Sequence, residues 1–301
     1  MKSVDIAVII LNYNTSEDAL AAAKSVIDNT KHSFQICLVD NASPKKGEVE
    51  RLQNHHLPDT VFLPIEKNEG YATGNNKGVR FVLSICEPKY IVIMNPDVLV
   101  LHHGTIDRLV DRLSKLPDNY CGVQPLVWTP YLGEANMQTN IRTTYSYFEC
   151  LIEHFALFKK IFASQYGKTI YKKERPYSEE LDFEVPSGAF FVTRASAFNS
   201  VGLFDERTFL YSEEIILGAK FKQKGYKFRF IPKEIVQHEG GKSIGSNAKR
   251  VKWYAVKYGM DSVEIYLKYY LNCGKTKVVI VKFFMILNQL IKALLYKLGA
   301  K

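Results

Sequence analysis

The sequence predicts an α/β protein built on a Rossmann-like, mostly parallel sheet flanked by helices. Three observations carry this. Residues 6–11 form an uninterrupted apolar run of strand length, and 34–39 and 90–94 are largely apolar runs of the same kind, as strands buried on both faces require. Segments of helical character separate them, at 16–29, 47–53 and 75–85. Each of those strands ends in a polar cluster: Asn12-Tyr13-Asn14, Asp40-Asn41 and Asn95-Pro96-Asp97. Strand, helix, strand at this spacing marks βαβ units, and sheets of that kind bind ligands beyond the carboxyl ends of their strands.

In chain order, the strand at 6–11 leads into an Ala-rich helix, with Thr15 or Ser16 as its N-cap. The strand at 34–39 is followed by a helix at 47–53 and a short strand at 61–64. The helix at 75–85 then precedes the strand at 90–94. The stretch 120–180 reads as irregular, apart from one helix at 145–165 that carries Phe148, Leu151, Ile152, Phe155, Leu157, Phe158 and Ile161. Strand character returns at 188–192 and 228–231, with helices at 212–224 and 251–271. No repeat or low-complexity linker divides the chain, so 1–245 is expected to form one unit and 246–301 a helical, basic extension.

Composition narrows the class. With 47% hydrophobic and 13% aromatic residues in 301, the chain can bury a substantial core, which excludes a disordered protein. The first residues show no apolar segment of a secretory signal, so none is expected. Cys37, Cys86, Cys121, Cys150 and Cys273 are scattered, odd in number and free of any CxxC, which argues for reduced thiols rather than a disulfide framework or zinc site. The net charge of +9 is uneven: residues 218–301 hold 18 basic against 4 acidic side chains, a net +14, which leaves the first 217 at −5. A basic C-terminal third suits an anionic partner, either a membrane surface or a phosphorylated substrate. Nucleic acid is not expected, because no zinc-finger spacing, RNP-like motif or bZIP-type basic region is present.

The last segment, 276–298, places Ile280, Phe283, Phe284, Leu287, Leu290, Ile291, Leu294 and Leu298 on one helical arc. Lys277, Lys282, Asn288, Gln289, Lys292 and Lys297 fall on the other. Lysines interrupt the apolar run, so the expectation is an amphipathic cationic helix rather than a spanning one. Such a helix lies in the interface of an anionic leaflet, or else packs its apolar side on the rest of the chain or in a homodimer.

The ordered set of motifs resembles the family 2 glycosyltransferases of GT-A fold, in particular their bacterial rhamnosyltransferase-like branch. The set runs from Asn12-Tyr13-Asn14 through Val39-Asp40-Asn41-Ala42-Ser43, the stretch from Asn68 to Gly78, and Asn95-Pro96-Asp97. Downstream come Gly188-Ala189-Phe190, Gly202-Leu203-Phe204-Asp205-Glu206, Tyr211-Ser212-Glu213-Glu214, Gly225-Tyr226 and His238-Glu239-Gly240-Gly241-Lys242-Ser243. The likeness covers roughly residues 4–245.

The resemblance implies an inverting transfer of a sugar, rhamnose from dTDP-rhamnose in the first instance, to a lipid-linked surface-polysaccharide acceptor. UDP-galactofuranose, UDP-glucose and UDP-galactose remain alternative donors, and a silent nucleotide-sugar-binding partner remains an alternative role. It places the enzyme on the cytoplasmic face of the membrane. Asp40 would accept from the N–H of a uracil or thymine, with Asn12, Tyr13 and Asn41 lining the same pocket. Gly70 would let backbone approach the donor, Asn75 and Asn76 would bond ribose or phosphate, and Gly188 would clear space for donor sugar or acceptor. Asp97 takes the last position of the family's DxD metal motif, whose first position is Asn95 here. Asp97 and His238 would hold a divalent cation, with Mn²⁺ favoured over Mg²⁺ by the imidazole. The family reads Glu-Asp-x-Asp-Leu at its base, whereas this chain reads Glu213-Glu214-Ile215-Ile216-Leu217. Glu214 therefore stands in the base position with one extra methylene, and Glu213 is the second candidate.

Overall fold

The computed structural model describes residues 2–130, 141–174, 177–239 and 252–297. The order is β1 (Lys2–Asn12), α1 (Ser16–Asn29), β2 (Phe34–Asp40), α2 (Glu48–Gln53), β3 (Thr60–Pro64), α3 (Gly70–Ile85), β4 (Cys86–Met94), β5 (Val98–Leu99), α4 (Thr105–Ser114) and β6 (Tyr120–Trp128). There follow α5 (Tyr147–His154), α6 (Ala156–Ile161), α7 (Ala163–Thr169), β7 (Leu181–Phe183), β8 (Phe190–Arg194), α8 (Ala195–Ser200), α9 (Glu213–Gln223), β9 (Lys227–His238), α10 (Trp253–Ile265) and α11 (Lys275–Lys297). A π-helical turn, Tyr266–Tyr270, continues α10.

The strands form one nine-stranded sheet in the order β3-β2-β1-β4-β8-β6-β9-β5, with β7 on β9. The first four are mutually parallel. Strand β8 is antiparallel to both β4 and β6, and β9 is parallel to β6. Two reversals restore the original sense, so β9 ends on the same edge of the sheet as β1, β2 and β4, and β8 begins there. The α/β class and GT-A architecture expected from the sequence are the ones observed.

Burial on both faces explains the apolar strand sequences. Ile6, Val8 and Ile10 of β1 point into one core, under α1 and α4, while Ala7 and Ile9 point into the other, under α3, α8 and α9. A third, smaller cluster joins Ile215 and Ile216 of α9 to Val263, Tyr266, Val278 and Val281, so the C-terminal helices are docked on the body of the molecule.

Three expectations change. The stretch 120–180 is less irregular than it reads, because β6 is fully formed, although Gly122, Gln124 and Pro125 interrupt its pattern. The single helix of 145–165 is broken into α5, α6 and α7, because Phe155 is extended (φ −131°, ψ 113°) and its ring packs on Phe158 and Phe284. Helix α3 starts at Gly70 rather than 75, so the polar stretch before Asn75 is its first turn. The end of the His238 motif, Gly240 to Ser243, and Leu298 lie outside the described residues.

Candidate active site

The register sets Asn12 opposite Asp40 at the ends of β1 and β2. Asn12 Nδ2 donates to Asp40 Oδ1 at 2.8 Å and to Ser43 Oγ at 3.2 Å. Ser43 turns back on the same carboxylate, its N–H donating to Oδ2 at 2.9 Å and its hydroxyl to Oδ1 at 2.6 Å. Three donors thus fix a buried carboxylate that has about four lone-pair positions, leaving one on Oδ2 for an incoming N–H. Asn41 donates from Nδ2 to Asn68 Oδ1 and to the Gly70 carbonyl. Its own Oδ1 is buried with no hydrogen-bond partner among the described residues. Tyr13 stands exposed at the rim.

Protein contacts account for Gly70 and Asn76. A β-carbon on Gly70 (φ +90°) would fall 2.1 Å from the Phe209 carbonyl oxygen, and Tyr71 N–H donates to that same oxygen at 2.9 Å. Asn76 is completely buried. Its amide donates to the Phe204 carbonyl and Glu206 Oε1 and accepts from Phe204 N–H, clamping α3 to the 204–206 loop. Asn75 donates to the Tyr71 carbonyl at 3.0 Å, while its Oδ1 is buried without a partner among the described residues.

Asp97 and His238 meet because the short β5 pairs with the end of β9, Val98 opposite His238. The Asp97 carboxylate is 6% exposed, and its Oδ1 lies 3.2 Å from His238 Nε2. Cis ligands on an octahedral ion with bonds of ~2.1 Å stand about 3 Å apart, so this pair suits a divalent cation completed by phosphate oxygens and water. No group of three or more His, Cys, Asp or Glu that could hold a metal occurs among the described residues, where Asp97 and His238 form a pair. Asn95 is tied to the same edge by its N–H, which donates to the Ala189 carbonyl at 2.8 Å.

That bond leads to the candidate base. Gly188 lies two residues before β8, and its carbonyl accepts from Tyr71 Oη at 2.7 Å. Glu214, in the first turn of α9, lies against it: a β-carbon on Gly188 would sit 2.3 Å from Glu214 Oε1. Burial pushes the Glu214 carboxyl above its usual value, opposed by its own backbone N–H, Arg142 and the Gly188 backbone. Glu213 is more deeply buried, and desolvation together with the neighbouring Glu214 charge raises it well above the usual range. Tyr211 and Ser212, immediately before them, are both left-handed (φ 72° and 62°), a strained approach of the kind that persists where surrounding structure over-determines it. Ile216, where the family has a second acid, is fully buried in the third cluster.

Glu214 opens into a cavity of about 680 Å³ lined also by Arg142 and His154, by Pro186, Ser187 and Gly188, and by residues of α10 and α11.

The sequence matches Glycosyl transferase family 2 over residues 7–205, about two thirds of the chain. The chain belongs to that family. The glycosyltransferase also matches Glycosyl transferase family group 2 over residues 146–296. It is 28% identical over 227 residues to the N-acetylglucosaminyl-diphospho-decaprenol L-rhamnosyltransferase of Mycobacterium tuberculosis, covering 72% of this chain and 70% of the relative. It is 29% identical over 94 residues to the Low-salt glycan biosynthesis hexosyltransferase Agl10 of Haloferax volcanii, covering 31% and 28%. Among solved structures, it superposes on the mannosyltransferase PcManGT from Pyrobaculum calidifontis, in complex with GDP-Man and Mn²⁺, with a TM-score of 0.59 at 13% identity, covering 100% of this chain and 76% of that one. For GalNAc-T7 with UDP, GalNAc and Mn²⁺ the TM-score is 0.62 at 16% identity, covering 89% and 49%. At these identities the two structures speak for the fold.

Sequence reasoning did not single out Ser43, Tyr71 or Arg142 in the glycosyltransferase. Ser43 had a local signal, since a Ser three residues after an Asp commonly caps its carboxylate. Arg142 had none, because it acts on Glu214 only through tertiary placement.

Proposed function

We propose that this glycosyltransferase is an inverting, metal-dependent rhamnosyltransferase that moves rhamnose from dTDP-rhamnose to a lipid-linked surface-polysaccharide acceptor. The observation that supports the reading is Glu214 lying against Gly188, next to the Ala189 carbonyl that holds Asn95, and on the wall of a cavity large enough for a sugar acceptor. The named activity of the mycobacterial relative supports the choice of sugar and lipid carrier.

Asp40 and Asn41 would receive the base, the spare lone pair of Asp40 Oδ2 taking a ring N–H. Glu214 removes the proton of the acceptor hydroxyl as that oxygen attacks the anomeric carbon. The bond from this carbon to the diphosphate breaks on the opposite face, and its electron pair leaves with the diphosphate, so configuration inverts. A divalent ion, Mn²⁺ or Mg²⁺, would neutralise the departing diphosphate when bound by Asp97 and His238. A carboxyl held above its ordinary pKa is a stronger base, and Arg142 and the Gly188 backbone oppose the rise that burial causes.

The setting would be the cytoplasmic face of a membrane, with the protein peripheral. Helix α11 buries Val278, Val281 and Met285 against the body and turns Val279, Phe283, Ile286, Leu290 and Leu294 outward, Phe283 and Leu294 being 57% and 58% exposed. By length and composition Lys275–Tyr296, 22 residues, could also cross a bilayer. Its packing along α5 and α10 favours a helix lying in the interface with its apolar arc toward lipid.

The test is donor hydrolysis across dTDP- and UDP-sugars with Mn²⁺ or Mg²⁺, with and without EDTA. Metal-dependent release of dTDP from dTDP-rhamnose alone supports the assignment. Release from a UDP-sugar corrects the donor, and failure to bind any nucleotide sugar sinks the reading.

A further inference from the structure

One face of α5 forms part of the wall of the Glu214 cavity. Cys150, Glu153 and His154, spaced as i, i+3 and i+4, all line it. A capping box of Ser146 and Glu149 starts this helix, and the extended Phe155 ends it. Glu153 and His154 therefore occupy its last turn.

Glu153 takes no part in the transfer chemistry described above, and its two oxygens differ. Oε1 accepts from Arg142 Nη1 at 3.3 Å and from Lys159 Nζ at 3.1 Å. Oε2 is buried and has no hydrogen-bond partner among the described residues. Burial works to raise this carboxyl, but Arg142 and Lys159 outweigh it and hold the group below its ordinary value, so Glu153 is ionised at neutral pH. A buried carboxylate oxygen without a donor is costly, and a bound ligand that donates to it removes the cost.

The chemistry of that donor follows from the surroundings. Two cations already meet Glu153 through Oε1, so its charge is matched and an incoming ammonium has no advantage over a neutral O–H or N–H. The adjacent His154 brings no further charge, since burial pushes its imidazole down to about 4. Val185, Val263 and the Tyr266 ring supply apolar surface on the same lining. A few placed polar groups among such surface orient a neutral ligand. Arg142 acts on both Glu153 and Glu214, which puts the two carboxylates on neighbouring parts of the wall.

Resting on the acceptor reading above, we infer that Glu153 is an acceptor-binding residue whose Oε2 accepts from a neutral donor on the acceptor glycan, a ring hydroxyl or an acetamido N–H, distinct from the hydroxyl that Glu214 deprotonates. The two carboxylates then hold separate points of the acceptor. Glu153 selects the sugar, and Glu214 acts on it.

The test pairs a variant with acceptor analogues. The probes are short-chain polyprenyl diphosphates carrying glucose, galactose, N-acetylglucosamine or N-acetylgalactosamine, titrated calorimetrically into the full chain with Mn²⁺ and dTDP or UDP present. Monodeoxy forms of the tightest probe follow, with a 2-O-acetyl form that lacks the N–H if that probe is an acetamido sugar. Wild type should bind one of these analogues ~10–10²-fold more weakly than its parent, as loss of a hydrogen bond to a charged group does. A deoxy form so affected assigns a hydroxyl, and the 2-O-acetyl form assigns the acetamido N–H. In Glu153→Gln, Arg142 and Lys159 hold the amide oxygen at the Oε1 position, which leaves at the Oε2 position an NH₂ that can only donate. That variant should bind the parent more weakly and no longer distinguish it from the affected analogue. Equal weakening of the parent and every analogue would make Glu153 a counter-ion of Arg142 alone and overturn the inference. So would a wild type that binds none of the four probes or discriminates against no analogue. If Glu153→Gln does not fold, Glu153→Asp, which keeps the charge but draws it back, must lower the same discrimination. Donor hydrolysis in the same preparation checks the glycosyl-transfer reading separately: its absence fails that reading, while the acceptor titrations still decide the role of Glu153.

Discussion

Gly188 makes room for Glu214. A β-carbon at position 188 would lie 2.3 Å from Oε1 and 3.1 Å from the carboxyl carbon of Glu214, with the turn held by the Tyr71 hydroxyl on the Gly188 carbonyl. The extra methylene that distinguishes Glu214 from the family's usual Asp is therefore accommodated by a glycine that leaves the space open.

Gly188→Ala should lower kcat by ~10²-fold, because a displacement near 1 Å is costly where a base must meet a proton. Combining it with Glu214→Asp should recover part of that loss, since the shorter side chain withdraws from the new methyl. Steady-state kinetics of the single and double variants measure the coupling. Additive losses would show that the two positions act independently.

Glu214→Gln should abolish turnover by 10²-fold or more while leaving donor affinity within about twofold, since base removal acts on the proton transfer. A protein that merely binds nucleotide sugar would show the same donor affinity in both forms and no turnover in either. Isothermal titration and product assay on the same preparation separate these.

The pH–rate profile should have its acid limb above the ordinary carboxylate range, because Glu214 must be deprotonated to act and burial raises its pKa. Tyr71→Phe should lower kcat about fivefold, the worth of one ordinary hydrogen bond. With the Gly188 turn loosened, the backbone donor that restrains Glu214 weakens, so the limb should move further up in pH. A fall in kcat with an unmoved profile would assign Tyr71 to packing alone.

Glu213 carries a stability prediction of definite sign. Its folded pKa is raised well above that of the unfolded chain, so the folded state is favoured at low pH and loses that advantage as pH rises past the unfolded value. Glu213→Gln should therefore raise Tm at pH 8 and have little effect near pH 4, as read by thermal denaturation at both.

Asp97→Ala should remove metal-dependent turnover and the enhancement of nucleotide binding by Mn²⁺, with the circular dichroism spectrum unchanged. Retained Mn²⁺ enhancement in calorimetry would take the metal away from Asp97 and His238.

What the sequence determined was the sheet and its functional edge. Continuous apolar runs can be buried only between two layers, and polar residues placed just after them must emerge at the strand ends, so Asn12, Asp40 and Asp97 were legible from pattern alone. The local chemistry of Ser43 on Asp40 could be anticipated too, since three residues is the reach of such a cap. Tertiary structure decided the rest. His238 reaches Asp97 only because two reversals of strand direction bring β9 back to the same edge, and Arg142 reaches the Glu214 cavity across more than seventy residues of chain. Asn76 reads in the sequence as a ligand contact, yet its amide bonds the 204–206 loop, because helix phase turns it inward. The wheel of α11 shows two arcs, but a wheel has no outside. Docking through Val278, Val281 and Met285 fixed which side of the helix faces the body and which is left exposed, because those contacts set the rotation of the helix about its own axis.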